Sequence, residues 1–279
     1  MYEEYWKLKE KPFENAPNPR FLYSSPRHEE ALSRMLYVIK ERKGAGILTG
    51  EYGSGKTLLS RVLLKELSDE RYQTAIVFNP RLPELELIRE IIYQLGGTVS
   101  SLTSKTDLLH ALNEILYRKK DENKNTVIVV DEAQAIPDEN GFEELRLLLN
   151  FQLNDSFLLT LILLGQPELK ERINGLPQLR QRLAVRYHLK ALSQNETKGY
   201  VQHRLKVAGA ITDVFNEDAL IEIYRFSGGI PRRINNICDM ALLVGCGGTA
   251  DRIDKNIIIE VADDLEESPI EIEEKIGIL

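Results

Sequence analysis

Two short stretches of this sequence carry groups suited to handling phosphate. The first is Gly50-Glu51-Tyr52-Gly53-Ser54-Gly55-Lys56-Thr57, a full match to G-x-x-x-x-G-K-[ST]. Glycines in such a loop let the backbone turn so that successive N–H groups point into one concavity. A helix starting at its end adds positive potential where the phosphates sit. Lys56 then supplies a point charge to the β- and γ-phosphates of a nucleotide, and the Thr57 hydroxyl is placed to bind Mg²⁺. Gly50, Tyr52, Gly53, Ser54, Gly55, Lys56, Thr57 and Leu58 form the expected nucleotide-binding set. The second stretch is Val127-Ile128-Val129-Val130-Asp131-Glu132, four β-branched residues ending in two carboxylates. A buried parallel strand delivers ligands at its C-terminal edge. There Asp131 would hold Mg²⁺ through water and Glu132 would polarise the attacking water. Taken alone, two acids at a strand end read equally well as the start of a solvated loop. The phosphate loop in the same chain decides for the catalytic reading. Asn79, after the apolar run Ala75–Phe78, is either a partner that holds Glu132 off or a plain turn residue before Pro80.

The elements that must position these groups follow from the apolar pattern. Ala45–Thr49, Thr74–Phe78, Thr126–Val130, Leu158–Leu164 and Val185–Leu189 read as strands. Leu58–Leu67, Glu84–Leu95, Lys105–Lys120 and Phe142–Leu153 read as helices between them, and Arg27–Arg42 has a helical period before them. Near-continuous apolar strands alternating with amphipathic helices predict an α/β fold, a five-stranded parallel sheet covered on both faces. After Leu192 the strands stop. Gln194–Ala208, Glu217–Phe226, Pro231–Val244 and Lys255–Leu265 all read as helices. The expected divisions are an aromatic and proline-rich strap at 1–27, an α/β core at 28–192, a small helical lid at 193–266 and an acidic tail at 267–279. Prolines forbid a long helix in the strap. Its aromatics, Tyr5, Trp6, Phe13 and Phe21 among them, are expected to be buried against the core.

Composition narrows the function classes. The chain has 279 residues, 43% hydrophobic and 28% charged, an ordinary globular balance. Most of the net charge of -7 lies near the C-terminus, where seven acids from Asp263 onward face Lys275 alone. No global basic field is therefore available to hold nucleic acid, and the acidic tail repels phosphates. The N-terminal residues lack the apolar run of a signal peptide. The most apolar stretch, Phe157–Leu164, is too short to span a bilayer, so a cytoplasmic location is expected, with any membrane role at the inner membrane acting through a partner. Cys238 and Cys246 fall in one predicted helix, roughly 12 Å apart, which excludes a disulfide.

The sequence resembles the ExeA-type ATPases, the general secretion pathway protein A group of AAA+ proteins. The resemblance is carried by F-E-N-A-P-N-P-R-F-L at 13–22, the phosphate loop, and V-D-E-A-Q at 130–134. It continues through L-L-G-Q-P-E-L at 163–169, L-R-Q-R-L-A-V-R-Y-H-L at 179–189 and G-I-P-R-R-I-N-N-I-C-D at 229–239. It implies an AAA+ core with a helical lid, ATP hydrolysis with Mg²⁺, and self-association in rings or pairs. Carried over by position, Gln166 matches the first sensor, which contacts the γ-phosphate or the attacking water. Arg182 matches the arginine finger given to a neighbouring subunit, with Arg180 and Arg186 as rivals. Arg232 matches the second sensor, and His188 belongs to the packing of the last strand. The client implied is a cell-envelope assembly, a secretion, pilus or exopolysaccharide system. The alternative is a DNA-binding, ATP-dependent regulator of the transposition-helper type, against which the acidic tail argues.

Overall fold

The computed structural model describes residues 1–99, 104–154 and 156–270. They form two compact units. One comprises Pro26–Glu51 and Lys56–Leu189, and the other comprises Met1–Ser25, Tyr52–Gly55 and the chain from Lys190 onward. Only the first four residues of the acidic tail expected at 267–279 lie among the described residues.

The first unit runs α1 (Pro26–Lys40), β1 (Ala45–Gly50), α2 (Lys56–Glu66), β2 (Tyr72–Val77), α3 (Glu84–Gln94) and α4 (Lys105–Asp121). It continues with β3 (Asn125–Val130), α5 (Glu139–Leu148), β4 (Leu159–Gly165), α6 (Pro167–Asn174), α7 (Pro177–Arg182) and β5 (Leu183–Leu189). The strands form one five-stranded sheet in the order β2-β3-β4-β1-β5, and every pairing is parallel. Side chains alternate between its faces, as a strand period of two requires. Leu48, Val127, Val129, Ile162 and Leu164 pack on one face with Met35, Ile39, Leu59 and Leu63 of α1 and α2. Ile47, Ile128, Val130, Leu161 and Leu163 pack on the other with Leu87, Ile91, Leu112 and Phe142 of α3, α4 and α5. The central strands are buried on both sides, which is why they read as near-continuous apolar runs.

Two helices depart from the sequence reading. Neither α6 nor α7 is long enough to show a helical period, and each begins on a proline, Pro167 and Pro177. Proline fits the first turn because the N–H it lacks has no intrahelical partner there. The helix expected at Phe142–Leu153 starts earlier and stops sooner. Asp138 caps its N-terminus by accepting from Gly141 N at 3.2 Å. Past its end, Leu158 N donates to Phe151 O at 3.0 Å, and Gln152 bridges Phe157 in antiparallel fashion.

The second unit contains α8 (Gln194–Val207), α9 (Glu217–Ser227), α10 (Pro231–Gly247) and α11 (Lys255–Asp264). Its core joins Leu205, Ile223, Ile237, Leu242 and Ile258 to Tyr2, Trp6, Leu8, Phe13 and Phe21. The N-terminal strap therefore packs on these helices, whereas its aromatics were expected against the α/β core. Trp6 Nε1 donates to Leu242 O at 2.8 Å. Tyr5 departs from the expected burial. It is 38% exposed, lies edge-on to Trp6 and donates its hydroxyl to Ala250 O. The prolines leave the strap a single three-residue 3₁₀ turn, Pro19–Phe21, capped by Asn18.

Arg204 fastens this arrangement. Its Nε and Nη2 donate to the strap carbonyls of Pro12 and Glu14 at 2.5 and 2.9 Å. Its Nη1 donates to Tyr200 Oη at 2.7 Å and Asn235 Oδ1 at 3.1 Å. Among the described residues, no helix is long and apolar enough to cross a membrane.

Candidate functional site

The sheet order sets the geometry of the site. Parallel strands end at one edge, and β4 lies between β3 and β1. With neighbouring strands about 4.8 Å apart, the tips of β1 and β3 lie roughly 10 Å from each other. Gly165 and Gln166, at the tip of β4, fall between the tips of β1 and β3.

The loop after β1 turns through two left-handed glycines, Gly53 (φ +78°) and Gly55 (φ +99°), and α2 begins at Lys56. Lys56 is only 4% exposed. Its ammonium donates to Gly50 O at 2.8 Å and Glu51 O at 2.9 Å. Burial pushes its pKa down, against the pull of Glu132, Asp131 and Glu51. Asp131 is buried and accepts from Glu132 N at 2.9 Å. Burial pushes its carboxyl pKa up, while the Glu132 N–H, the Thr57 hydroxyl and the Lys56 charge pull it down. Lys56, Thr57, Asp131 and Glu132 thus share one electrostatic neighbourhood.

Thr57 and Asp131 together offer hard oxygen donors suited to Mg²⁺, which takes few protein ligands and completes its shell with water and phosphate oxygens. Among the described residues, no group of three or more His, Cys, Asp and Glu could hold a metal by itself. That donor set fits Mg²⁺ held jointly with a phosphate substrate.

Glu132 sits in the left-handed region at φ 50, ψ 38. Its Oε2 accepts from Gln134 Nε2 at 2.5 Å and from Gln166 Nε2 at 3.3 Å. Gln134 Oε1 in turn accepts from Gln166 N at 3.0 Å. Gly165 makes room for that amide, because a Cβ there would lie 2.6 Å from Gln134 Oε1. Arg172 holds the short turn Ala133–Ala135 from outside. Its Nη1 donates to Gln134 O at 2.8 Å and to Ile136 O, with its guanidinium 4.6 Å from the Phe142 ring centre. Gln134, Arg172 and Gly165 are not among the site residues expected from sequence. Gln134 and Gly165 stand in the motifs V-D-E-A-Q and L-L-G-Q-P-E-L, but only a folded chain shows that they meet.

Among the described residues Asn79 has no hydrogen bond to Glu132; its Oδ1 accepts from Arg81 N at 3.3 Å, a turn contact, and the carboxamides bonded to Glu132 are those of Gln134 and Gln166. Arg182 ends α7 and donates to Asn150 Oδ1 at 3.0 Å. Arg186 donates to Arg180 O at 2.7 Å. His188 lies on β5, with Nδ1 3.0 Å from Thr49 Oγ1. In the helical unit, Arg232 stands in the first turn of α10, donates its N–H to Gly53 O at 3.2 Å and hydrogen-bonds the Tyr52 hydroxyl. Its guanidinium lies 4.6 Å from the Tyr52 ring centre. A Cβ on Gly53 would come within 2.7 Å of Arg232 Cβ. Glycine at this point of the loop thus leaves room for α10's first turn.

Residues 39–173 match a family model described as an AAA domain. The chain is similar to general secretion pathway protein A of Aeromonas hydrophila, 40% identical over 245 residues, 87% of this chain and 44% of that protein. It is more distantly similar to an uncharacterized HTH-type transcriptional regulator of Methanocaldococcus jannaschii, 24% identical over 55% of this chain and 37% of that one. The chain spans less than half the length of either relative. Among solved structures, it is similar to the Aeropyrum pernix ORC2 protein, with a TM-score of 0.69 and 19% identity over 97% of this chain and 75% of that one. Cdc6p from Pyrobaculum aerophilum gives a TM-score of 0.69 and 18% identity over 88% and 70% of the two chains. These structural likenesses establish the fold: a five-stranded AAA+ core followed by a helical region.

Proposed function

The chain is a homologue of general secretion pathway protein A that carries an AAA domain, and from that premise we propose that it is an ATPase, converting ATP and water to ADP and phosphate. The observation that supports this is the cluster at three neighbouring strand tips: Lys56 and Thr57 after β1, Asp131 and Glu132 after β3, Gln166 after β4. Lys56 and the loop N–H groups bind the phosphates. Thr57 and Asp131 would hold Mg²⁺, which would supply charge neutralisation to the phosphates. Glu132 takes the proton from the attacking water through Oε1, since Oε2 is engaged by two amides. Gln166 lies beside that water. Arg182, with Arg180 and Arg186 as alternatives, serves a neighbouring subunit's nucleotide, and Arg232 is the second sensor on the helical unit.

The work goes to a cell-envelope assembly, at the cytoplasmic side of the inner membrane through a protein partner. The relative's name, general secretion pathway protein A, supports that client. A second reading, a DNA-linked regulator, draws on the HTH-type relative and on a similar fold determined in complex with DNA.

ATP binding and turnover, measured with and without duplex DNA, test both. Lys56→Ala should lose tight ATP binding. Glu132→Gln should bind ATP normally and turn it over about 10²- to 10⁴-fold more slowly. Turnover near wild type in a folded Glu132→Gln protein would remove Glu132 from the mechanism. Strong stimulation by DNA would favour the regulator.

A further inference from the structure

We propose that Gln134 is the positioning residue for Glu132, holding the carboxylate so that one oxygen faces water. This rests on the reading of Glu132 as the base.

The bonding pattern allows only one orientation of the Gln134 amide. Gln166 N can only donate, so Gln134 Oε1 must face it, at 3.0 Å. Nε2 then necessarily points at Glu132 Oε2. The second amide, from Gln166, reaches the same oxygen. Oε2 is therefore doubly engaged, and among the described residues no hydrogen bond reaches Oε1, which is left for water. A carboxylate on a free rotor would spread its lone pairs over many directions. One clamped at a single oxygen presents the other in a fixed direction, and small errors in such placement are costly to rate.

The backbone supports the same conclusion. A left-handed conformation at a residue with a Cβ persists only where its surroundings over-determine it. Here the following 3₁₀ turn is tied down by Arg172 through the carbonyls of Gln134 and Ile136. The space for the Gln134 amide exists because position 165 is glycine, with no Cβ to collide with Oε1. Among the described residues the carboxamides that hydrogen-bond Glu132 are those of Gln134 and Gln166, whereas the Asn79 oxygen accepts from Arg81 N. Backbone, tether and cleared space all converge on one side chain, whose hydrogen bonds run to the Glu132 carboxylate and the Gln166 N–H.

The test compares ATP affinity and single-turnover hydrolysis in the full chain for wild type, Gln134→Ala, Gln134→Glu, Glu132→Gln and the double variant Gln134→Ala/Glu132→Gln. Gln134→Ala should keep ATP affinity within about 2-fold and slow turnover about 10- to 100-fold. Gln134→Glu, nearly isosteric, should be at least as slow, because it sets a like charge against Glu132 in place of a donor. In the Glu132→Gln background, Gln134→Ala should change turnover by less than about 2-fold, since a residue acting through Glu132 has nothing left to position. An equal loss in both backgrounds would show a purely structural role and overturn the proposal. So would wild-type turnover in Gln134→Ala or, should that variant fail to fold, in Gln134→Glu. Wild-type turnover in Glu132→Gln alone would instead overturn the reading of the base, and this proposal with it.

Discussion

Arg204 offers a sharp test of how the helical unit holds its N-terminal strap. The residue is 5% exposed, and among the described residues its hydrogen-bond partners are two backbone carbonyls, a phenol and a carboxamide, with no carboxylate. It also lies over the rings of Phe21, Tyr200 and Phe13, at 4.9, 5.6 and 6.0 Å. Hydrogen bonds from a charged donor contribute about 1.5–3 kcal/mol each. Against that stands the desolvation of a buried cation, several kcal/mol. Arg204→Ala removes both terms but strands the carbonyls of Pro12 and Glu14 and opens a cavity among aromatic rings. The net loss should be about 3–5 kcal/mol. Trp6 is the chain's one tryptophan, buried in the same core and bonded to Leu242 O, so its emission reports this unit directly. With a urea slope of about 2 kcal/mol/M, the midpoint of the Trp6 transition should fall by roughly 2 M. Arg204→Lys should fall between, since one ammonium cannot span four acceptors in two directions. A midpoint within about 0.3 M of wild type for Arg204→Ala, against that slope, would refute the reasoning.

Three further outcomes can be checked. Burial raises the Asp131 carboxyl pKa, so its contribution to stability is present below the unfolded value and is lost as pH rises through the folded one. Asp131→Asn should therefore melt a few degrees higher at neutral pH without ligand, roughly 1–2 kcal/mol, and lose the Mg²⁺·ATP-induced rise in Tm, both read by calorimetry. Burial, with Arg204 and Lys206 nearby, lowers the His203 pKa. The unfolded chain then binds the proton more readily, so the helical unit should weaken as pH falls below about 6.5 and stop weakening once the folded pKa is passed; Trp6 urea midpoints should show this slope, and His203→Gln should flatten it. Gly229 has φ +73°, and a Cβ there would sit 1.9 Å from Leu192 O. Gly229→Ala should cost more than about 3 kcal/mol, and a fully folded variant with an unchanged midpoint would contradict the packing.

What could be read in advance divides along physical lines. The five strands were legible because a sheet covered on both faces needs near-continuous apolar runs, and Val127–Val130 and Leu161–Leu164 have them. That Lys56, Thr57, Asp131 and Glu132 stand at neighbouring strand tips was legible because a G-x-x-x-x-G-K-T loop and an acid pair each follow an apolar run. Gln134 was not. An uncharged carboxamide in a short turn has no periodicity, and its meeting with Gln166 depends on β4 inserting between β3 and β1. Pro167 and Pro177 hid two helices because proline reads first as a breaker. Apolar aromatics such as Trp6 and Phe13 announced that the strap would be buried, but aromaticity does not name a partner. Arg204, the residue that selects it, sits nearly two hundred positions away.

Glu132 carries a Cβ where the backbone is left-handed, a conformation that costs about 1–2 kcal/mol for most residues and little for glycine. If Glu132 is the base proposed above, heat tolerance and turnover pull this position in opposite directions. A library grown under thermal challenge alone should drift toward glycine at 132 and lose the carboxylate unnoticed. One selected for nucleotide consumption should retain the acid and tolerate the lower melting point. Consensus-based stabilisation of this chain should accordingly leave position 132 alone, because there the more comfortable residue is the inert one.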